Sequence, residues 1–330
     1  MPRFSVIIPT YNAAATLGPL LQSLAPQTGE DTEIIVVDDA STDATPAVVA
    51  AHGRIQYVRQ AERRGPAAAR NRGAALAAGE WLVFTDADTC CLADTMERIR
   101  ETVSACEGDA FVGTYAGRPA NKGFMPRYKA LWELVTVDER LLARGGDYVP
   151  YTTWAPRPGL VKKSVFEAVG GFNERFRGAD LEDMEFGYRM VAAGYRIFFV
   201  PGIRILHNYP ATFWQEIRPF ARRCRLWVGL KKPDKFDLAG DGSPWQAVSH
   251  MAGFGAFWLL FLIPFLPASA VLEVPLFLVF VGVNRAFIAR AFCEEGFLFA
   301  ARALPVCWIH TIVMGCAAGL GMLERLGARR

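Results

Sequence analysis

Asp86 and Asp88 stand at the end of the apolar run WLVFTDAD (81–88). Where a strand leaves its pleat, two carboxylates at this spacing can turn toward one ligand, and hard oxygen donors suit Mg²⁺ or Mn²⁺. The same run also reads as a strand closed by an ordinary aspartate turn. Its own residues do not choose between the two. Two other strand-like runs end in polar residues: FSVIIP (4–9) passes into Thr10-Tyr11-Asn12, and EIIVVDD (33–39) ends in Asp38-Asp39. Asp39, followed by Ala-Ser-Thr, is alternatively a helix cap. Several polar strand ends on one sheet edge make a better case for a pocket than any one alone.

The intervening segments supply the elements that would hold these residues. Leu17, Leu20, Leu21 and Leu24 fall on one helical face, RIQYVRQ (54–60) reads as a third strand, and AAARNRGAALAAG (67–79) reads as a helix stopping at Gly79. Strands alternating with helices predict an α/β domain with a mainly parallel sheet, and such sheets bind ligands beyond the carboxyl ends of their strands. No GxGxxG or GxxxxGK[ST] follows the first strand, which argues against a dinucleotide site or a P-loop. Further on, TMERIRETVSAC and YKALWELVTVDERLLAR suggest amphipathic helices, and RGGDYVPYTTWAPRPG reads as a loop-like region on the acceptor side. LVKKSVFEAVGGF (160–172) predicts a strand and a helix ended by Gly170-Gly171. ADLEDMEFGYRMVAAGY (179–195) predicts a helix stopping at Gly194, and RIFFVPGIRILHNY two short strands ending in His207.

Of the 330 residues, 52% are hydrophobic, and they concentrate in residues 245–323. A net charge of +3 without a long basic run or zinc-finger spacing argues against nucleic acid as a partner. Seven cysteines with no CxxC pair fit reduced, buried thiols, and no signal peptide precedes the first strand, so the N-terminal part is expected to be cytoplasmic. Residues 247–267 and 304–323 are each long enough, and free enough of charge, to cross a bilayer, whereas 274–284 is marginal. Residues 213–232 mix Arg218, Arg222, Arg223, Arg225, Lys231 and Lys232 with Phe213, Trp214, Phe220 and Trp227, the composition of an interfacial helix or of a solvated basic one. With three passes the terminal arginines fall outside; with two or four, both basic clusters are cytoplasmic. The expected organisation is a catalytic domain over 1–212, a basic interfacial segment over 213–240, and a transmembrane helical region over 241–330. The protein is thus expected in the cell membrane as a multi-pass protein with its catalytic domain in the cytoplasm.

PTYN (9–12), VVDDASTD (36–43), AARNRGAALAAGEWLVFTDAD (68–88), GGFNERF (170–176), LEDMEFGYRMVAAGYRIFFVP (181–201) and ILH (205–207) together resemble family 2 glycosyltransferases of the GT-A fold, over roughly residues 4–210. The resemblance implies an inverting transferase that uses a nucleoside diphosphate sugar, with a UDP-sugar favoured, and a divalent metal. It places Pro9, Thr10, Tyr11 and Asn12 along the nucleoside pocket and has Asp39 accept a hydrogen bond from the base. Arg70, with Asn71, lies near the nucleotide; Asp86 and Asp88 hold the ribose and the metal–diphosphate unit; His207 approaches the metal. Asp183 becomes the general base. The processive synthases of this family carry a Gln-x-x-Arg-Trp motif, and FARRCRLWVGL here lacks it, which argues against processive polymerisation.

The chemistry is consistent with those residues. Negative charge grows on the departing diphosphate, and a divalent cation on one or two carboxylates stabilises it, phosphates and water completing its shell. The acceptor hydroxyl needs a positioned base, worth ~10²- to 10⁴-fold. Plainer readings stand beside each assignment: Glu182 and Asp183 as acids favoured at a helix N-terminus, Glu185 as structural, His207 as a satisfied strand-end histidine, and Cys90 and Cys91 as packing residues. A membrane-bound transferase implies a lipid-linked or glycan acceptor and membrane lipids as partners. Rival functions are a nucleotidyltransferase and a non-catalytic membrane scaffold.

Overall fold

The computed structural model describes residues 2–230 and 244–328. Lys231, Lys232 and the rest of the expected interfacial segment to residue 240 lie outside the described residues, as do Arg329 and Arg330. The elements in chain order begin with β1 (Phe4–Thr10), α1 (Ala14–Leu24), β2 (Thr32–Asp38), α2 (Thr45–Ala50), β3 (Ile55–Arg59) and α3 (Pro66–Leu76). Next come β4 (Trp81–Phe84), β5 (Thr89–Cys91), α4 (Thr95–Ala105), β6 (Ala110–Pro119), α5 (Phe124–Glu133) and, after a wider π-type turn, α6 (Glu139–Leu142). β7 (Val149–Tyr151), β8 (Gly159–Lys162), α7 (Lys163–Val169), α8 (Glu182–Ala192) and β9 (Ile197–His207) follow. The last elements are α9 (Phe213–Trp227), α10 (Pro244–Leu262), α11 (Ala270–Val283), α12 (Arg285–Glu295) and α13 (Phe297–Ala328).

The chain divides into two compact units. The first holds the sheet, in the order β3-β2-β1-β4-β8-β6-β9-β5, with β7 on the side of β9. β1 to β4 pair in parallel, and all seven residues of β1 are buried because helices cover both faces. Beyond β4 the sheet becomes mixed: β4–β8, β6–β8, β5–β9 and β7–β9 are antiparallel, and β6–β9 is parallel. This is the GT-A fold. Phe4, Val6, Ile8, Val36, Val83 and the α1 leucines form the core on one side.

Three local expectations are revised. α3 ends at Leu76, before Gly79; a Cβ on Gly79 would lie 2.7 Å from Ser5 Oγ, so that glycine serves a close approach to β1 and does not terminate the helix. β9 is one strand whose register against β6 shifts between Val112 and Thr114, so the Pro201-Gly202 break bends the strand without dividing it. The segment around residue 150 contributes more than loop: β7 joins the sheet, and Trp154 is fully buried against Phe84, Phe172 and Phe186, its indole N–H donating to Leu160 O at 3.1 Å.

The second unit is helical. Tyr128, Leu131, Phe280, Phe287, Ala303 and Cys307 form its core. The Thr212 side chain and Gln215 make a reciprocal capping box that starts α9. Among the described residues, Phe297–Leu326 is the one helix long and apolar enough to cross a membrane; Val248–Leu262 is shorter, and the segments 267–283 and 285–295 are bent by 62° at their junction.

Candidate functional site

The carboxyl ends of β1, β2 and β4 open on a cavity of about 400 Å³, and Pro9, Thr10, Tyr11, Asn12, Asp39, Arg70, Asp86 and Asp88 all lie on its wall. Parallel pairing makes this convergence obligatory: Thr10 lies opposite Asp38 and Ile7 opposite Phe84, so the segments after each strand leave the same sheet edge. Asp183 and His207 do not line the cavity: His207 stands beside Asp88, and Asp183 follows Glu182, which bonds the lining residue Arg70.

The PTYN turn and the VVDDASTD turn are locked together. Asn12 takes a left-handed φ of 48°; its Oδ1 accepts from the Thr42 N–H at 2.8 Å, and its own N–H donates to Ser41 Oγ at 2.9 Å. The two aspartates divide their work. Asp38 is wholly buried and accepts from Ser41 N–H and Tyr57 Oη. Asp39 faces the cavity while accepting from Gln60 Nε2 (2.8 Å), Arg64 N–H (2.7 Å) and Gly65 N–H (2.8 Å). A carboxylate offers about four acceptor positions, so one remains for a ligand donor. Asp39 therefore builds the loop ahead of α3 as well as lining the site.

That loop supplies a wall residue the sequence reading passed over. The Arg63 guanidinium lies 3.9 Å from the centre of the Tyr11 ring, a cation–π pair at the cavity rim. Its only signal in the sequence is the charged run ERR before Gly65-Pro66. Gly178 and Ala179 complete the wall from the far segment. The GGFNERF segment is tied to α3: the Asn71 amide donates to Phe172 O and Glu174, and Phe172 N–H donates back to Asn71 Oδ1.

Arg70 is 4% exposed and bridges two acids. Nη2 donates to Asp86 Oδ1 at 2.8 Å and Nη1 to Glu182 Oε1 at 2.9 Å. Burial alone would lower its pKa, but the Asp86 and Glu182 carboxylates overcome this and raise it. Burial raises the Asp86 pKa and Asp88 adds to it, against the pull of Arg70. Both Glu182 oxygens are engaged, because its Oε2 accepts from Asp180 N–H at 2.9 Å. Asp183, beside it in the first turn of α8, is half-buried, and its Oδ1 accepts from Met184 N–H. Burial and the adjacent Glu182 push its pKa up to about 7, although Arg70 pulls it down. Glu185 pairs with Arg189 at 2.8 Å; Arg189 also donates to Val169 O and Gly171 O, so this acid secures the end of α7.

His207 stands opposite Thr89 across the β5–β9 pairing, with Nε2 3.5 Å from Asp88 Oδ1, and its ring packs on Tyr115 and Tyr209. Asp88 Oδ1 is shielded from solvent and has no hydrogen-bond partner. An orphaned carboxylate oxygen next to an imidazole fits a divalent cation, as do the oxygen donors of Asp86 and Asp88. Among the described residues no three His, Cys, Asp or Glu side chains are grouped to hold a metal by themselves. A cation here would take its other ligands from phosphate and water. Cys91 packs against the core, and burial pushes its thiol up to about 12, so it is no ready nucleophile.

Residues 5–162 match the model of glycosyl transferase family 2, and residues 152–211 that of the N-terminal domain of galactosyltransferase. An uncharacterised glycosyltransferase of Haemophilus influenzae is 28% identical over 184 residues, 55% of this chain and 60% of that one. The chain thus spans less than two thirds of that relative's length. A PGL/p-HBAD biosynthesis glycosyltransferase of Mycobacterium bovis is 31% identical over 194 residues, 57% of this chain and 69% of that one. Among solved structures, a mannosyltransferase of Pyrobaculum calidifontis in complex with GDP-Man and Mn²⁺ aligns over 96% of this chain and 87% of its own at 21% identity, with a TM-score of 0.59. That likeness is one of fold.

Proposed function

The chain belongs to glycosyl transferase family 2, and from that premise we propose that it moves a sugar from a nucleoside diphosphate sugar to a hydroxyl acceptor with inversion at the anomeric carbon. The supporting observation is the gathering of Asp39, Asp86 and Asp88 on one cavity wall, with Asp183 in the first turn of α8 directly after Glu182, which Arg70 ties to Asp86. In this reading the Tyr11–Arg63 rim and the spare acceptor of Asp39 take the nucleoside, and Asp86 faces the ribose and diphosphate. Asp86 and Asp88, with His207 alongside, would hold a Mg²⁺ or Mn²⁺. When bound, that cation supplies Lewis-acid stabilisation of the leaving diphosphate. Asp183 receives the acceptor proton; a carboxylate with a pKa near 7 is well matched to that task at neutral pH.

The resemblance favours a uridine donor, whereas the Pyrobaculum neighbour holds a guanosine one. A panel of UDP-, GDP- and dTDP-sugars decides this. The acceptor we propose is lipid-linked or a membrane glycan, because the helical unit exposes large apolar side chains such as Met251, Phe265, Val271 and Leu298, which supports attachment to a bilayer. The proposed division is catalytic residues 1–212, an interfacial segment 213–240 and membrane-associated helices 241–330, the catalytic part facing the cytoplasm. The test is donor turnover by detergent-solubilised protein with membrane lipid extract, the product identified by mass spectrometry. Absence of turnover with every sugar nucleotide, alongside intact nucleotide binding, would favour the scaffold reading.

A further inference from the structure

Hydropathy in the sequence marked 247–267 as a membrane span and 274–284 as a marginal one. The folded chain joins them differently. α10 and α11 form a hairpin, and its two ends meet: Asn284 Nδ2 donates to Ser249 Oγ at 2.7 Å. α11 has 14 residues, ~21 Å of helix, and a hydrocarbon core of ~30 Å takes ~20 residues. At Asn284 the chain turns into α12, where Arg290 pairs with Glu139 and Glu294, while Glu294 and Glu295 pair with Arg127. The hairpin therefore returns to the charged base from which it left.

A hairpin that crosses a bilayer puts its turn into water and needs a polar turn there. Here the turn is Ile263-Pro264-Phe265-Leu266-Pro267-Ala268-Ser269, with Phe265 85% exposed. Four of its five backbone donors are spent internally: Ile263 N–H donates to Leu259 O, those of Phe265 and Leu266 to Leu262 O, and that of Ser269 to Leu266 O. Pro264 and Pro267 have no N–H to satisfy. Irregular backbone is tolerated in hydrocarbon only where its polar groups find partners within the protein. Trp258, Phe261, Val271, Leu272, Val274 and Leu278 extend the exposed apolar surface down both arms. Glu273 is the sole Asp, Glu, Lys or Arg between Ser249 and Asn284.

α13, the helix long enough to cross, has one face of its middle packed within the protein, through Ala303, Cys307, His310 and Thr311. His310 is buried beside Tyr128 and Phe220, and Glu216, within 3.8 Å of His310, pairs with Lys129 at 2.9 Å. The arginine-bearing helix α9 lies along it, with Arg225 paired to Glu324. Guanidiniums in that position are costly in hydrocarbon.

We propose that residues 249–284 form a re-entrant hairpin that dips into one leaflet of a lipid bilayer, with its tip in the hydrocarbon and both ends on the face it entered. This rests on the membrane attachment proposed above. The first test compares Ala268→Cys with the parent chain for one added maleimide tag, using an impermeant reagent on sealed right-side-out and inside-out vesicles. Tagging only after detergent is the expected result. Tagging on sealed vesicles from either face overturns the one-leaflet placement and leaves membrane attachment intact. Recovery of the parent chain in the soluble fraction overturns membrane attachment itself. The second test is Phe265→Asp with Leu266→Asp, at exposed positions, with folding checked by circular dichroism. The folded variant should lose at least 10-fold in binding to phosphatidylcholine–phosphatidylglycerol vesicles; unchanged binding rejects the hairpin as the inserted element.

Discussion

Arg70 Nη2 sits 2.8 Å from Asp86 Oδ1, so one carboxylate of the DAD motif is ion-paired to α3 from within the protein. The other arm of the same guanidinium reaches Glu182, the residue immediately before the proposed base. The proposed donor side and the proposed acceptor side thus share one buried cation. Two of the five guanidinium N–H donors of Arg70 are spent on these bonds, and its buried Nε–H has no partner.

Glu182→Gln should loosen that bridge while leaving Asp183 in place. The expected result is a rise in donor KM of about 10-fold, with a smaller change in kcat. Arg70→Met leaves two acids facing each other in a buried site, and breaking a buried pair in this way costs ~3–5 kcal/mol. Thermal unfolding of both variants checks the order: Arg70→Met well below Glu182→Gln.

Asp183→Asn should reduce kcat by ~10²- to 10⁴-fold with donor binding preserved. Calorimetric titration of the nucleotide separates the two effects. Turnover near that of the parent would falsify the base assignment.

The same group sets a pH dependence. With Asp183 as the proposed base, kcat/KM should climb as pH rises through about 7 and then level off. For stability the sign is opposite. The folded pKa lies above the unfolded value of 3.8, so the favourable contribution is complete below pH 4 and is lost as pH rises to about 7. Asp183→Asn should therefore be more stable than the parent at pH 8, by on the order of 4 kcal/mol, and no more stable at pH 4. Urea unfolding at the two pH values measures this.

Asp86→Ala with Asp88→Ala should abolish the Mn²⁺-dependent part of nucleoside diphosphate affinity. A titration with and without chelator checks it, and equal affinities in the parent chain would reject the metal assignment.

Gly65→Ala tests the loop that Asp39 organises. Gly65 has φ 95°, and a Cβ there would lie 2.4 Å from Arg177 O, so the loop and the 174–180 segment must separate. A loss of ~1–3 kcal/mol is expected, together with weaker nucleotide binding; a neutral substitution would show that the loop is free to move.

Much of this protein was legible in its sequence. Uninterrupted β-branched runs such as FSVIIP can only be strands covered on both faces, and parallel strands must deliver PTYN, Asp39 and the DAD motif to one edge. The motif order shared with family 2 placed Asp183 on the list of candidates. Local pattern could not divide Asp38 from Asp39, since they are adjacent at the end of β2 and both buried, and only the distant Tyr57 and Gly65 show which one meets the cavity. Nor could it reveal the Arg70–Glu182 bond, whose partners lie more than a hundred residues apart. Apolar length alone cannot say whether a segment crosses a bilayer, because that depends on where its ends return, and Ser249 and Asn284 meet only in the folded chain. Residue types and their order along the chain set the elements and the chemistry available at one sheet edge. Tertiary structure decided which acids are already neutralised by a buried arginine and which remain for a ligand, since pairing and burial are properties of distant residues brought together.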